Sequence, residues 1–457
     1  MRGSASILTQ KSLVIVFTYA PAGLGHLRVT DALYAGLPEG SAPLLLGSRA
    51  TAIKVIHRIV SVHYLFRRLF EWGQSGSFQH LFTTVYKSLI KSQKNELYDQ
   101  INTLLDQRIE LPEKVLIVGT HFGLAHQAAA LKKRIERERK VQVFLAVQVT
   151  DDSPQYIWYV PEADLTIVPS EYTKEQMLAY GKRVGHKPIP IEVTAYPVSP
   201  LLTERLTPQQ FHEREHQLDP ESRSQVHVSI PISGAAVQLQ YFTKLVDALY
   251  RSSHRYIFHV VTRSAPYTLP FLKDMIERPY VKLYVSPHDR EVVDMYEEVF
   301  QKHKISLEVT KPSEQAFKAL VSTRQRGGTI LLFSEPVGRQ EYDNIDFLRR
   351  HGLIPNLTEQ RYLWEAAPER RQLRDTQAGR DIWEKALNWR GVELPKQAAE
   401  SACFIRWCLE QGVFTRMMHS HAQSVKGDGY AGEVNAQGVQ DFWSTVAGYL
   451  NEGERLC

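Results

Sequence analysis

Cysteine is scarce. The chain's Cys403, Cys408 and Cys457 lie near its carboxyl end, with no CxxC pair and no histidine at zinc-site spacing. A disulfide framework is not expected, and Cys403 and Cys408, within the apolar stretch SACFIRWCLEQGVF, read as small buried hydrophobes. Long hydrophobic runs are also missing. No stretch reaches the roughly 18 uninterrupted apolar residues of a bilayer span, and residues 1–10 lack the apolar core of a secretory signal. The expected location is the cytoplasm, in solution or peripheral at the inner face of the membrane. A strong excess of one charge is lacking too: a net +5 gives no argument for nucleic acid, and none is expected as a partner. Neither a DxD motif at a strand end nor a histidine cluster stands out, so no metal is expected.

What is present is an alternating grammar. The composition, 43% hydrophobic and 23% charged, is that of an ordinary folded protein, and 457 residues exceed one compact core. Residues 13–18 (LVIVFT) form a β-branched apolar run suited to a strand buried on both faces, followed by a glycine turn and a helical pattern over 27–37. Strand, turn and helix recur at 114–118 with Gly119, Thr120 and His121 leading into a helix, at 141–149, and at 165–168, where Ser170 can cap the next helix. A second series starts after the charge-dense segment 203–224. Its strand candidates are 226–230, 256–262, 281–285, 306–309 and 329–333, and Ser233, Gly234, Ala235 and Ala236 form a small-residue turn. The expected fold is α/β with parallel sheets. The expected domains are a first Rossmann-like domain over 1–200, a linker over 201–222, a second Rossmann-like domain over 223–356 and a helical extension over 357–457.

Ala22-Gly23-Leu24-Gly25-His26 stands where the first strand meets the first helix, the crevice in which open parallel sheets bind ligands. Gly23 and Gly25 let the backbone approach a bound group, and a helix N-terminus favours an anion. Arg28 occupies the place of the third glycine of a dinucleotide fingerprint, which argues against NAD. A tight turn with a capping-region histidine is the plain alternative. Between residues 51 and 94, Lys54, Arg58, Arg67, Arg68, Lys87, Lys91 and Lys94 face the single acid Glu71 and are interleaved with aromatic and aliphatic residues. Such a stretch suits either a helix packed on its apolar side or an interfacial helix drawn to anionic headgroups.

The run AGLGHLRVTDAL resembles the GxGHxxxAxAL opening of the family that includes the bacterial lipid II glucosaminyltransferase and the diacylglycerol glycosyltransferases, the monogalactosyldiacylglycerol synthase-like enzymes among them. Thr30 replaces its usual alanine. Further stretches follow in the family's order: Val149-Thr150-Asp151-Asp152, then Val193-Thr194-Ala195-Tyr196-Pro197-Val198, Thr310-Lys311-Pro312-Ser313-Glu314 and Pro336-Val337-Gly338-Arg339-Gln340-Glu341-Tyr342-Asp343-Asn344. The resemblance implies a GT-B fold, two Rossmann-like domains facing a cleft, and inverting transfer of a hexose or N-acetylhexosamine from a UDP-sugar to an acceptor hydroxyl, lipid acceptors included.

It places His26 near that hydroxyl, with Asp151 or Asp152 as an alternative base. It gives the donor to Ser233, Gly234, Lys311, Ser313, Glu314, Gly338, Gln340 and Asn344. No cofactor is implied, the UDP-sugar being a substrate, and residues 51–94 are implied in membrane contact. Ser313-Glu314 in place of a glycine pair, and Gly338-Arg339 where the family has Pro-Gly, are departures at the donor. They keep two other readings open: a non-catalytic GT-B-like protein that binds a nucleotide or sugar, and a UDP-sugar epimerase of the same architecture.

Overall fold

Strands that are apolar on consecutive residues must be covered on both faces, and the chain does this twice. The computed structural model describes residues 7–19, 24–41, 43–47, 94–108, 110–420 and 432–455. Gly23 and the segment 51–94, apart from the backbone of its last residue, lie outside the described residues. The chain forms two compact units, residues 1–199 with 437–457, and residues 200–436.

In the first unit β1 (Leu13–Tyr19), β2 (Pro43–Gly47), β3 (Lys114–Gly119), β4 (Gln142–Gln148), β5 (Leu165–Val168) and β6 (Ile191–Val193) make a six-stranded sheet in the order β2-β1-β3-β4-β5-β6. Every pairing is parallel. Strand residues alternate between the faces. Val14 and Val16 join a core with Ala125 and Leu131 of the helix Phe122–Arg139 and Met177 of the helix Glu171–Arg183. On the other face Phe17 meets Tyr34 of the helix Leu24–Ala35 and, edge to face at 6.0 Å, Trp443 of the helix Gly438–Arg455. Trp443 also donates its indole N–H to the Leu33 carbonyl at 2.9 Å. Ser170 caps the helix Glu171–Arg183 as its position suggested, accepting from the Thr173 N–H.

The second unit repeats the plan with β7 (Val226–Pro231), β8 (Tyr256–Arg263), β9 (Val281–Ser286), β10 (Leu307–Thr310), β11 (Ile330–Phe333) and β12 (Gly391–Glu393), in the order β12-β11-β10-β7-β8-β9, again all parallel. Leu307 and Val309 face a core shared with the helices Leu239–Ser252 and Ala398–Glu410, while Glu308 between them faces the helix Asp289–Lys302. Two successive Rossmann-like units match the strand-helix grammar, and they are the two halves that the resemblance to GT-B enzymes implied.

The ends of the units differ from the expected divisions. The presumed linker is part of the second unit: the helix Pro208–Gln217 carries Arg214, 1% exposed, whose guanidinium donates to the carbonyls of Thr323, Gln325, Arg326 and Gly328. Burial, with Arg390 and Arg326 nearby, pushes its pKa down to about 9, which still leaves it charged at neutral pH. The expected extension 357–457 is shared out. Residues up to 436 complete the second unit and supply β12, whereas the last helix belongs to the first unit.

The second unit also encloses an ion pair. Lys318 Nζ lies 2.8 Å from Glu308 Oε2, with the two side chains 3% and 0% exposed, and the Tyr296 hydroxyl donates to the same carboxylate. A charge deprived of its buried partner costs far more than the pair gains. Glu308→Leu is therefore expected to lower stability by about 3–5 kcal/mol, and Glu308→Leu combined with Lys318→Met to recover most of that. Urea unfolding followed by tryptophan fluorescence measures both; a double variant no more stable than the single one would refute the account.

Candidate functional site

In an open parallel sheet, ligand-binding side chains collect beyond the carboxyl ends of the strands, where the strand order reverses direction. In the first unit that point lies between β1 and β3. His26 sits in the first turn of the helix after β1 and is half-buried. Its Nδ1 lies 3.1 Å from the Thr150 hydroxyl beyond β4. Thr150 is itself steadied by the Tyr196 hydroxyl, which donates to its carbonyl at 3.0 Å. The His121 ring, from the segment after β3, stands edge-on to the His26 ring with centroids 4.9 Å apart. Its Nδ1 accepts from the Gly123 N–H as the cap of the helix Phe122–Arg139, so a neutral His121 carries its proton on Nε2.

Thr30, the departure from the resembled pattern, has a visible purpose. Its hydroxyl donates to the His26 carbonyl at 2.8 Å and shares a hydrogen bond of 2.7 Å with the Thr120 hydroxyl, tying the helix to the end of β3. An alanine there would make neither bond. Gly25 lies in the same first turn. Thr120, His121 and Thr150 were not singled out for chemistry. For Thr120 and His121 a partial signal exists, the repetition after β3 of a glycine and a histidine near the start of a helix, whereas nothing comparable marks Thr150.

The two aspartates are separated by their surroundings. Asp152 is fully buried and accepts from the hydroxyls of Ser170 and, at 2.8 Å, Thr173. It thereby anchors the first turn of the helix Glu171–Arg183. Asp151 is only half-buried.

In the second unit the switch point lies between β7 and β10. After β7 the turn through Ser233 and Gly234 places Ala236 at φ 51° and Gln238 at φ 62°. Left-handed backbone at residues other than glycine costs roughly 1–2 kcal/mol each and persists only where neighbours hold it. The neighbours are evident. Ala236 N–H donates to the Ser233 carbonyl, the Tyr267 hydroxyl to the Gly234 carbonyl, and the Gln238 amide both donates to the Glu335 carbonyl and accepts from the Ser334 hydroxyl. The Ser233 hydroxyl oxygen is enclosed and has no hydrogen-bond partner among the described residues.

Beyond β10 and β11, Lys311 Nζ meets Glu341 Oε1 at 2.5 Å, with both side chains 10% exposed, and Glu341 Oε2 accepts from the Val337 N–H at 2.6 Å. Asn344, fully buried, donates its amide to the Pro312 carbonyl at 3.2 Å. These bonds join the TKPSE stretch to the helix Arg339–Arg350. Gly338 precedes that helix without a side-chain cap, and a Cβ at Gly338 would have open space around it. Gln340, Ser313 and Glu314 are half-buried along the same ends. The structure therefore gathers the expected donor residues of the second unit at one set of strand ends, and brings His26 together with Thr150 and His121 in the first.

Asp152 acts as an anchor, so its loss should be felt in stability. Asp152→Ala removes two hydroxyl-to-carboxylate bonds and is expected to cost about 2–4 kcal/mol. Thermal unfolding of the variant measures this; a variant as stable as the parent would refute the anchoring role.

No family model matches the chain, and no curated protein matches it. Among solved structures it is similar to S. aureus MnaA in complex with UDP, at 11% identity over 96% of this chain and 97% of that one, with a TM-score of 0.46. It is similar to the UDP-GlcNAc 2-epimerase from Neisseria meningitidis bound to UDP-GlcNAc, at 11% identity over 95% and 99% of the chains and a TM-score of 0.46. It is also similar to a UDP-glucosyltransferase from Polygonum tinctorium, at 11% identity over 95% and 98% and a TM-score of 0.43.

Proposed function

We propose that the chain transfers a hexose or N-acetylhexosamine from a UDP-sugar to an acceptor hydroxyl, with a lipid alcohol among the acceptors to try first. The observation that carries this reading is His26: an imidazole at the sheet's switch point, held by the Thr150 hydroxyl on Nδ1, beside His121. An imidazole titrating near neutral pH is suited to taking a proton from an alcohol as it attacks the sugar's anomeric carbon. With Nδ1 accepting from Thr150, Nε2 carries the proton. With Nδ1 donating to Thr150, Nε2 is the base, and the Thr150 hydroxyl can serve either arrangement.

The donor reading rests on the second unit. The unsatisfied Ser233 hydroxyl, the turn at Gly234 and the uncapped start of the helix at Gly338 suit a diphosphate, for which backbone N–H groups and the positive end of a helix are the usual partners. Lys311 would compensate the charge of the leaving UDP on release from Glu341. Glu314 would accept from ribose hydroxyls, and Gln340 and Asn344 would contact the sugar or its phosphates. No cofactor enters this reading.

One observation favours a second reading, a non-catalytic nucleotide-binding protein: Lys311 is already neutralised by Glu341, and Ser313-Glu314 stands where the resembled family has a glycine pair. Release of UDP from a panel of UDP-sugars, with and without lipid extract, separates the two. His26→Ala is expected to lower acceptor-dependent kcat by about 10²–10⁴ with donor binding unchanged, and Lys311→Ala to weaken donor binding about tenfold or more. UDP-sugar binding without turnover under any acceptor would select the second reading, and conversion of one UDP-sugar into another without acceptor would select the epimerase.

A further inference from the structure

Three histidines distant in sequence meet in the second unit, on the face of the sheet opposite the apolar core described above. Val226, Val228 and Ile230 of β7, and Tyr256, Phe258 and Val260 of β8, all point into that core. Alternation therefore sends His227 and His259 to the other face, where the parallel register sets His259 opposite Ser229, two residues past His227. His303, the residue that ends the helix Asp289–Lys302, comes down onto the same place.

The ring centroids of His259 and His303 are 4.3 Å apart, those of His227 and His259 5.2 Å, and those of His227 and His303 5.7 Å. His227 Nδ1 lies 2.9 Å from His259 Nε2, and one ring nitrogen from each histidine lies within 4.8 Å of the others. The Tyr284 hydroxyl of β9 stands 3.2 Å from His259 Nδ1 and 3.1 Å from His303 Nε2.

We infer that His227, His259 and His303 form a binding site for a divalent late first-row metal ion, zinc foremost, with water as the fourth ligand. Imidazole nitrogens are the ligands such ions prefer, and three of them with an open fourth position is a known zinc arrangement. Bound tetrahedrally at about 2.0–2.1 Å, the three nitrogens would stand about 3.3 Å apart, within reach of small ring rotations from the observed spacing. The nearby cations Lys282 and Lys302 are exposed and Lys304 is half-buried, so each can keep its ammonium toward water.

The site's place in the fold defines its use. His227 is the second residue of β7 and His303 precedes β10, so the ion would sit toward the strand starts, away from the strand ends that carry Ser233 and Lys311. It would pin the end of the helix Asp289–Lys302 to β7 and β8 and act on stability, not on the reaction.

The test uses the full chain without an affinity tag, stripped with a chelator and titrated with zinc chloride or cobalt(II) chloride. The expected result is one tight equivalent, visible absorption bands of tetrahedral cobalt, and a rise in the unfolding temperature on zinc addition. His303→Asn, at a half-buried position, and His259→Gln should each weaken binding about 100-fold or more, beyond the loss typical of a supporting residue. The exposed pair His212 and His216 on the helix Pro208–Gln217 is the competing surface site. A His212→Ala, His216→Ala variant should bind as the parent does. Loss of binding in that variant, or retention in His303→Asn and His259→Gln with unchanged circular dichroism, would overturn the inference, as would the absence of a tight equivalent in the parent.

Discussion

A parallel sheet cannot be closed by tight turns, because each strand must be followed by a crossover long enough to return to the sheet's starting edge. Everything else in this chain depends on that requirement. It produces the helices that cover both faces, and it delivers every strand's carboxyl end to one edge. There the connections are free of packing duty and can hold side chains such as His26, His121 and Thr150, or the turn at Ser233. It also explains why chemistry-bearing residues that are far apart in sequence meet: Lys311 and Glu341 follow adjacent strands, and adjacency in the sheet is all they need.

Much of this was legible in the sequence, for a physical reason. Central strands of a parallel sheet are buried on both faces, so β1, β3, β4, β5 and β7 read as apolar, β-branched runs followed by small or capping residues. Three of the four edge strands did not read that way. β2, β6 and β12 are short, and β12, Gly391–Glu393, lies in a region whose helical composition hid it. In the site, glycines and a histidine at a strand end pointed to His26, whereas Thr150 and His121 were obscured because their role depends on which strands are neighbours. The contrast between Asp151 and Asp152 was beyond sequence as well. Two adjacent carboxylates look alike until the hydroxyls of Ser170 and Thr173 are found on one of them.

The second unit relies on buried cations to a degree that its composition does not suggest. Arg214 holds four carbonyls of the segment that precedes β11. Arg390, also 1% exposed, donates to the carbonyl of Val321 at 2.8 Å. Between these two guanidinium groups the backbone turns tightly enough that a Cβ on Gly328 would fall 1.8 Å from the Ser322 carbonyl oxygen, so no other residue fits there. Irregular backbone is thereby given the hydrogen-bond donors that a strand or helix would have supplied. The segment that reads as a linker is, through Arg214, part of the hydrogen-bonding interior of its unit.

The helix Gly438–Arg455 belongs to the unit that the chain begins, and this has a consequence for synthesis. The first unit's sheet can emerge from the ribosome and form its crossovers, yet the face carrying Phe17, covered in part by Tyr34, is not completed until Trp443 arrives, after the whole second unit has been made. The second unit is thus the one that can finish folding first, although it is translated later. During that interval an apolar face waits, the kind of surface on which chaperones act and from which aggregation starts.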